Sequence, residues 1–306
     1  MIALNTATGI IEINCWQDIE ERPHFRTNID PTNVELREII GSYQFDSDVR
    51  CGLSTCHQPH KRGYIVMTKD GWETNIGKDC GKNYFSVDFV EMKVKFDRDV
   101  KRSIQRDTIK NAKEKAPELL DIVNQLRKQH HGADWIYQKI AKLRNRSDIG
   151  EIPASELRKM LKERRKELLA SRKASKKERE EAFARDPSLE DKYEGKPYFI
   201  TTVVGSINYI EAMSKEHDLK ETLIRDVSRT LNVLIDSNLE SIRDRDLSLL
   251  AKDANAVEAK IQKAKESIEI GRRFLTKENL TPLAEWTANT FGERHSLQLL
   301  RFIEQL

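Results

Sequence analysis

Between Cys51 and Cys80 the chain gathers three of its four cysteines and two histidines around a single predicted hairpin. The segment reads CGLSTCHQPH, then GYIVMTKDGWETNIG, then KDCG. Residues 64–67 and 72–76 are rich in β-branched and aromatic side chains and predict two strands. Asp70-Gly71 supplies the tight turn between them, with positive φ angles. Zinc takes four thiolate or imidazole ligands in a tetrahedron, and cysteines clustered about a hairpin can supply them without a large core. Cys51 and Cys56 form one knuckle, the hairpin returns the chain to Cys80, and a helix follows at once. Cys80 then lies near a helix N-terminus, where the dipole favours a thiolate. This order of knuckle, hairpin and helix is that of a treble-clef finger.

Such a finger draws its last two ligands from the helix start, and the second of those places is held here by Asn83. The fourth donor must lie elsewhere. His60 is the first choice because it follows Cys56 by four residues and precedes the strand; His57 is the alternative, and Cys15 comes third. The expectation is one structural zinc on Cys51, Cys56, His60 and Cys80. A catalytic zinc keeps a water and needs a nearby base, and the close carboxylates, Glu73 and Asp79, sit in no motif. The pattern Cys…Cys…His followed by GYIV…DGW…NIGKDCGKNYF resembles small zinc-binding modules of uncharacterised bacterial and phage proteins. Those modules share IG-x-x-C after a hairpin and an aromatic residue at the start of a helix. The resemblance covers residues 50–90 and implies a metal-binding module with no activity attached; it leaves room for a role in phage biology or defence.

The rest of the chain reads as helix. Charged residues make up 34% and aromatics only 7%, which favours long water-facing helices over a large α/β core. Before the cysteines, Ile10–Cys15 suggests a strand after a Thr8-Gly9 turn, and Asp30-Pro31 opens a short helix that Gly41 closes. Phe89, Met92, Phe96, Val100 and Ile104 recur at helical spacing from Ser86 onward. Pro117 breaks or kinks that helix, and further runs cover 118–129 and 133–146. A turn at 148–153 precedes a very polar helix from Ser155 to about Ala184. The β-branched run 200–204 fits a strand or a buried helix, and a helix from Val203 is the reading adopted. Leu219, Leu223, Val227, Leu231, Leu234 and Ile242, then Leu250, Ala254, Val257, Ile261, Ala264 and Ile268, recur at mostly four- and three-residue steps, the seam of a helical hairpin or short coiled coil. Thr281-Pro282 starts a final helical pair carrying Leu297, Leu300, Ile303 and Leu306. The fold class is therefore mainly α: a small α+β zinc-bound module over residues 1–97, a basic helical region over 98–185, and a C-terminal helical hairpin region over 186–306.

Net charge is only +3, but its distribution is uneven. Residues 158–179 hold 11 Lys or Arg against three Glu, and residues 93–115 hold nine against four. A helix with this charge can follow a phosphate backbone by counterion release. The candidate contacts are Arg158, Lys162, Arg164, Arg165, Arg172, Lys173, Lys176 and Lys177, with Lys61, Arg62, Lys69, Lys78 and Lys82 around the zinc module. Few aromatics interleave these cations, so base stacking is not indicated, and a merely solvated face is the competing reading.

Known catalytic signatures are missing: there is no phosphate loop of the GxxxxGK[ST] or GxGxxG kind and no GxSxG elbow. Glu91 and Lys93, with Asp79 or Asp88 upstream, would need a sheet edge to act as a metal nuclease, yet they fall on different faces of a helix. His130-His131 reads as a helix terminus and His295 as structural. No run approaches the roughly 18 apolar residues of a membrane span, and no signal peptide is evident, so a reducing cytoplasm is the expected setting, where clustered cysteines favour metal over disulfide. Two functions follow as expectations: a non-enzymatic, zinc-containing nucleic-acid-binding protein, or a helical scaffold that captures a protein partner or dimerises through its seams.

Overall fold

The computed structural model describes residues 2–6, 9–13, 15–239 and 241–306. Thr8 of the expected Thr8-Gly9 turn lies outside them. The chain divides into two compact units, one of Met1–Ala112 with Ser237–Lys252, the other of Lys113–Asp236 with Asp253–Leu306.

The first unit is built on a five-stranded antiparallel sheet of order β2-β1-β3-β4-β5, with β1 Ile2–Thr6, β2 Gly9–Ile13, β3 Leu36–Arg50, β4 Pro59–Thr68 and β5 Glu73–Gly77. A short helix α1, Gln17–Glu20, lies between β2 and β3. Side chains alternate across a strand, and here both faces are covered. Ile39, Val66 and Ile76 enter one core with Leu53, Phe89 and Phe96, while Ile40 and Ile65 enter a second with Ile2, Leu4 and Ile19. The long helix α2, Lys78–Lys128, starts directly after β5 and supplies Phe89 and Phe96 to the first core.

Three local expectations change here. Asp30-Pro31 opens no helix: Asp30 Oδ1 accepts from the Thr32 N–H at 2.9 Å and its hydroxyl at 2.8 Å, closing an Asx turn, and the chain then enters β3. The residues that cap helices also close such turns. Gly41 ends nothing; it lies mid-strand, where a Cβ would stand 3.1 Å from Leu4 Cδ1 and 3.2 Å from the Ala3 carbonyl. The β4–β5 turn has one positive φ, at Gly71, and its hairpin closes with the Thr68 N–H donating to the Trp72 carbonyl at 2.8 Å.

Helix α2 begins eight residues before Ser86, where φ 50° and ψ −127° kink it. The kink sets Phe89, fully buried, against Gly81, where a Cβ would meet the ring at 2.4 Å. Gly81→Ala should therefore cost about 2 kcal/mol by overpacking, read as a lowered urea midpoint; an unchanged midpoint would contradict this packing. Met92 and Val100 pack at the core edge, while Ile104 is 53% exposed, off the apolar face. The helix runs on past Pro117 without a break.

The second unit continues with α3 Ala133–Arg144, α4 Arg146–Ile149, α5 Glu151–Glu163, β6 Glu167–Lys173, α6 Lys176–Arg185, α7 Ser188–Lys192, β7 Phe199–Ser206, a π-helical turn Lys220–Ser228, α8 Arg229–Asp236, α9 Asp244–Phe274 (whose first turns belong to the first unit), α10 Lys277–Phe291 and α11 Leu297–Glu304. The turn expected at 148–153 is tighter: Gly150, with φ 93°, separates α4 from α5. The polar helix expected over 155–184 is not one helix. α5 stops at Arg164, which is left-handed with φ 53°. The next segment pairs antiparallel with β7, Leu168 is fully buried, and Trp286 Nε1 donates to the Leu169 carbonyl at 2.8 Å. Pairing across the fold overrides a local preference for helix. Residues 199–206 are correspondingly a strand, not the start of a helix. α10 begins at the Thr276 cap rather than at Thr281-Pro282, and Leu299, Phe302 and Ile303 form the buried stripe of α11, with Leu297 and Leu300 exposed.

The fold is mainly α, 61% helical, as its composition and periodicity predict. The heptad positions from Leu219 to Leu234 and from Leu250 to Ile268 are buried within the chain itself, whereas Ile242 precedes α9 and is only half-buried. No helix among the described residues is long and apolar enough to cross a membrane.

Candidate metal centre

The site forms where β3 ends, where β4 begins and where α2 starts. Arg50 pairs with Pro59, and the Cys51 N–H donates to the Gln58 carbonyl at 3.1 Å, so residues 51–58 are a closed loop at the head of the β3–β4 ladder. Inside it the Cys56 N–H donates to the Leu53 carbonyl at 3.1 Å, with Leu53 buried as the anchor and His57 at φ 50° turning the chain back. Gly52 is required by close approach: a Cβ there would meet Thr74 Oγ1 at 2.1 Å. Cys80 enters from the first turn of α2, three residues after β5 ends at Gly77.

These three segments bring the sulfurs of Cys51, Cys56 and Cys80 within 4.8 Å of one another. Cys56 and Cys80 Sγ are 3.0 Å apart, well beyond the roughly 2.05 Å of a disulfide bond, and all three thiols are free. Burial pushes the Cys51 thiol up. Burial, with its hydrogen bonds and the charge of its two neighbours, pushes Cys80 up to about 12. Burial raises Cys56 as well, but hydrogen bonds from Cys80, the Gln58 backbone and Cys51 outweigh it and leave Cys56 below its ordinary value. Cys51 and Cys80 thus hold their protons more tightly than a free thiol, and a cation that enters must displace them, since the thiolate is the metal-binding form. Three cysteines this close can hold a metal ion.

His60 stands outside the sulfur group, because both its ring nitrogens are engaged. Nδ1 lies 3.0 Å from the Gln58 carbonyl, which can only accept, so Nδ1 carries the proton. Nε2 is then an acceptor, and Tyr43 Oη–H donates to it at 2.5 Å. Asn75, itself buried, donates from Nδ2 to Tyr43 Oη at 3.1 Å and to the Arg50 carbonyl at 2.8 Å. Tyr43 and Asn75 carry no motif, and only the fold brings them to the site. His57 is exposed, and Cys15, also exposed, directs its thiol to Gln17 Oε1 at 3.8 Å. Glu73 is taken by Arg22 (Nε to Oε2 at 2.6 Å, Nη2 to Oε1 at 2.8 Å) and offers no base.

Cys56 and Cys80 border a cavity of about 760 Å³ that is also lined by His60, Lys61, Arg62, Lys78, Asp79 and Asn83. Lys61, Arg62 and Lys78 are exposed and make no ion pair among the described residues.

The eight cations of the 158–177 segment fare differently, and they share no single helix face. Arg158 and Lys162 are on α5, Arg172 and Lys173 at the end of β6, and Lys176 and Lys177 at the start of α6. Arg165 is 13% exposed and bound to Glu156 at 2.6 Å and Glu163 at 3.1 Å. Arg172 is paired through both terminal nitrogens with Glu178, at 2.8 and 2.5 Å, and Arg158 Nε donates to the Ala154 carbonyl on its own helix. Lys176, 93% exposed, lies 3.9 Å from Glu180, and Lys162, Arg164, Lys173 and Lys177 are exposed.

No family model, curated protein or solved structure matches the chain.

Proposed function

We propose that the chain is a non-enzymatic nucleic-acid-associated protein whose Cys51, Cys56 and Cys80 hold one zinc ion. The donor set fits zinc, which favours soft thiolates. The ion would tie the 51–58 loop to the first turn of α2 and so fix the ground from which nearby cations act. The observation that carries the reading is the convergence of Lys61, Arg62 and Lys78 on one cavity, where none of them makes an ion pair among the described residues. Unpaired cations on a fixed surface are the footprint of phosphate contact. The 158–177 cations contribute less to this reading than their number suggests, because several are neutralised internally.

The test is fluorescence anisotropy of labelled duplex DNA, single-stranded DNA and RNA titrated with the full chain at several salt concentrations. Binding should weaken steeply with salt, and the combined variant Lys61→Glu, Arg62→Glu, Lys78→Glu should flatten the slope of log affinity against log salt by about 2 to 3. Unchanged binding by this variant overturns the assignment. If reversal of Lys173 and Lys177 alone abolishes binding, the contact lies on the β6–α6 segment instead.

A protein partner is the second reading. It is favoured by Phe199, Val203 and Val204 of β7, which are 53%, 62% and 54% exposed. Its mark is a complex insensitive to salt.

A further inference from the structure

We infer that the metal held by Cys51, Cys56 and Cys80 keeps one coordination position open to the adjoining cavity and takes there a small soft anion, a thiolate in kind. This rests on the zinc reading above and is independent of nucleic-acid contact.

A tetrahedral ion on three sulfurs lacks one donor. Among the described residues no His, Cys, Asp or Glu joins the three cysteines to complete the set. The nearest expected donor, His60, is held by Tyr43 on one nitrogen and by the Gln58 carbonyl on the other. The three sulfurs are not equally enclosed. Cys51 is 2% exposed and belongs to the core with Leu53 and Phe89, whereas Cys56 and Cys80 border the cavity of about 760 Å³. The unprotected side of the sulfur triangle is therefore the cavity side, and the space there admits far more than a water molecule.

Charge decides the class of ligand. A divalent ion on three thiolates is net negative, so a further anion needs compensation nearby. Lys61, Arg62 and Lys78 line the same cavity without ion pairs among the described residues, against the single acid Asp79. Three thiolates also leave the ion soft, which favours sulfur over a hard oxygen donor.

The test uses the full chain with cobalt(II) in place of zinc, kept reduced by a phosphine, and 2-mercaptoethanol as the probe. The thiolate-to-cobalt absorption should grow saturably by roughly a third as a fourth sulfur is added to three. Arg62→Gln with Lys78→Gln should raise the half-saturating thiol concentration several-fold, and His60→Gln should leave the starting cobalt bands in place. A spectrum that thiol leaves unchanged, or bleaches, overturns the open position. A shift of the starting bands in His60→Gln overturns it too, by making His60 the fourth ligand. No thiolate-to-cobalt band at all would overturn the zinc reading and this inference with it.

Discussion

Cys80→Ser should abolish the proposed stoichiometric zinc binding and unfold the 51–85 region. Serine is close to isosteric with cysteine, so packing against the first core is barely altered and the loss is chemical: a soft sulfur donor is replaced by a hydroxyl. Cys80 joins the loop of residues 51–58 to helix α2, which it enters two turns before the kink at Ser86. A structural zinc contributes on the order of 10 kcal/mol to the fold that binds it, comparable with the whole net stability of a domain, about 5–15 kcal/mol. Metal analysis of the purified variant should find no zinc, and amide exchange at residues 51–58 should become fast. One zinc per chain retained in Cys80→Ser would refute the ligand assignment.

The second large effect is expected at Arg22→Met. Glu73 is 3% exposed, and both its carboxylate oxygens are held by the Arg22 guanidinium. The backbone of Glu73 ties in the same loop, donating to the His24 carbonyl and accepting from the Arg26 N–H, each at 2.8 Å. Methionine keeps the apolar stem of Arg22 but leaves a buried carboxylate unpaired. That should destabilise the first unit by about 3 kcal/mol, the low end for a broken buried pair because Arg22 itself is 33% exposed. Adding Glu73→Gln should recover most of the loss, since a neutral side chain leaves no charge stranded. Urea unfolding of the single and double variants is the measurement; a single variant as stable as the parent chain would show that the pair holds nothing together.

What could be read from the sequence was what is decided locally. The knuckle, the Asp70-Gly71 turn and the return to Cys80 lie within 30 residues, and the chemistry of each is visible in its own residues. The heptad runs are legible for the same reason: a period of four and three marks a buried stripe whatever covers it. The surroundings of His60 were not legible because they depend on Tyr43, 17 residues before it, and through Tyr43 on Asn75. The helix expected over 155–184 failed in the same way. Lys, Arg and Glu favour helix locally, but β6 exists because β7, some 30 residues on, pairs with it and Trp286 holds the Leu169 carbonyl. Charge counting over residues 158–179 was also incomplete. It could not show that Glu156, Glu163 and Glu178 turn toward Arg165 and Arg172.

The most direct measurement is the metal content of the full chain, purified under reducing conditions and freed of loosely bound ions. One zinc per chain, released when the three thiols are blocked by an alkylating reagent, is the expected result. A chain that is folded and metal-free, or one in which Cys56 and Cys80 are joined in a disulfide, would contradict the metal centre and with it the functional reading built around it.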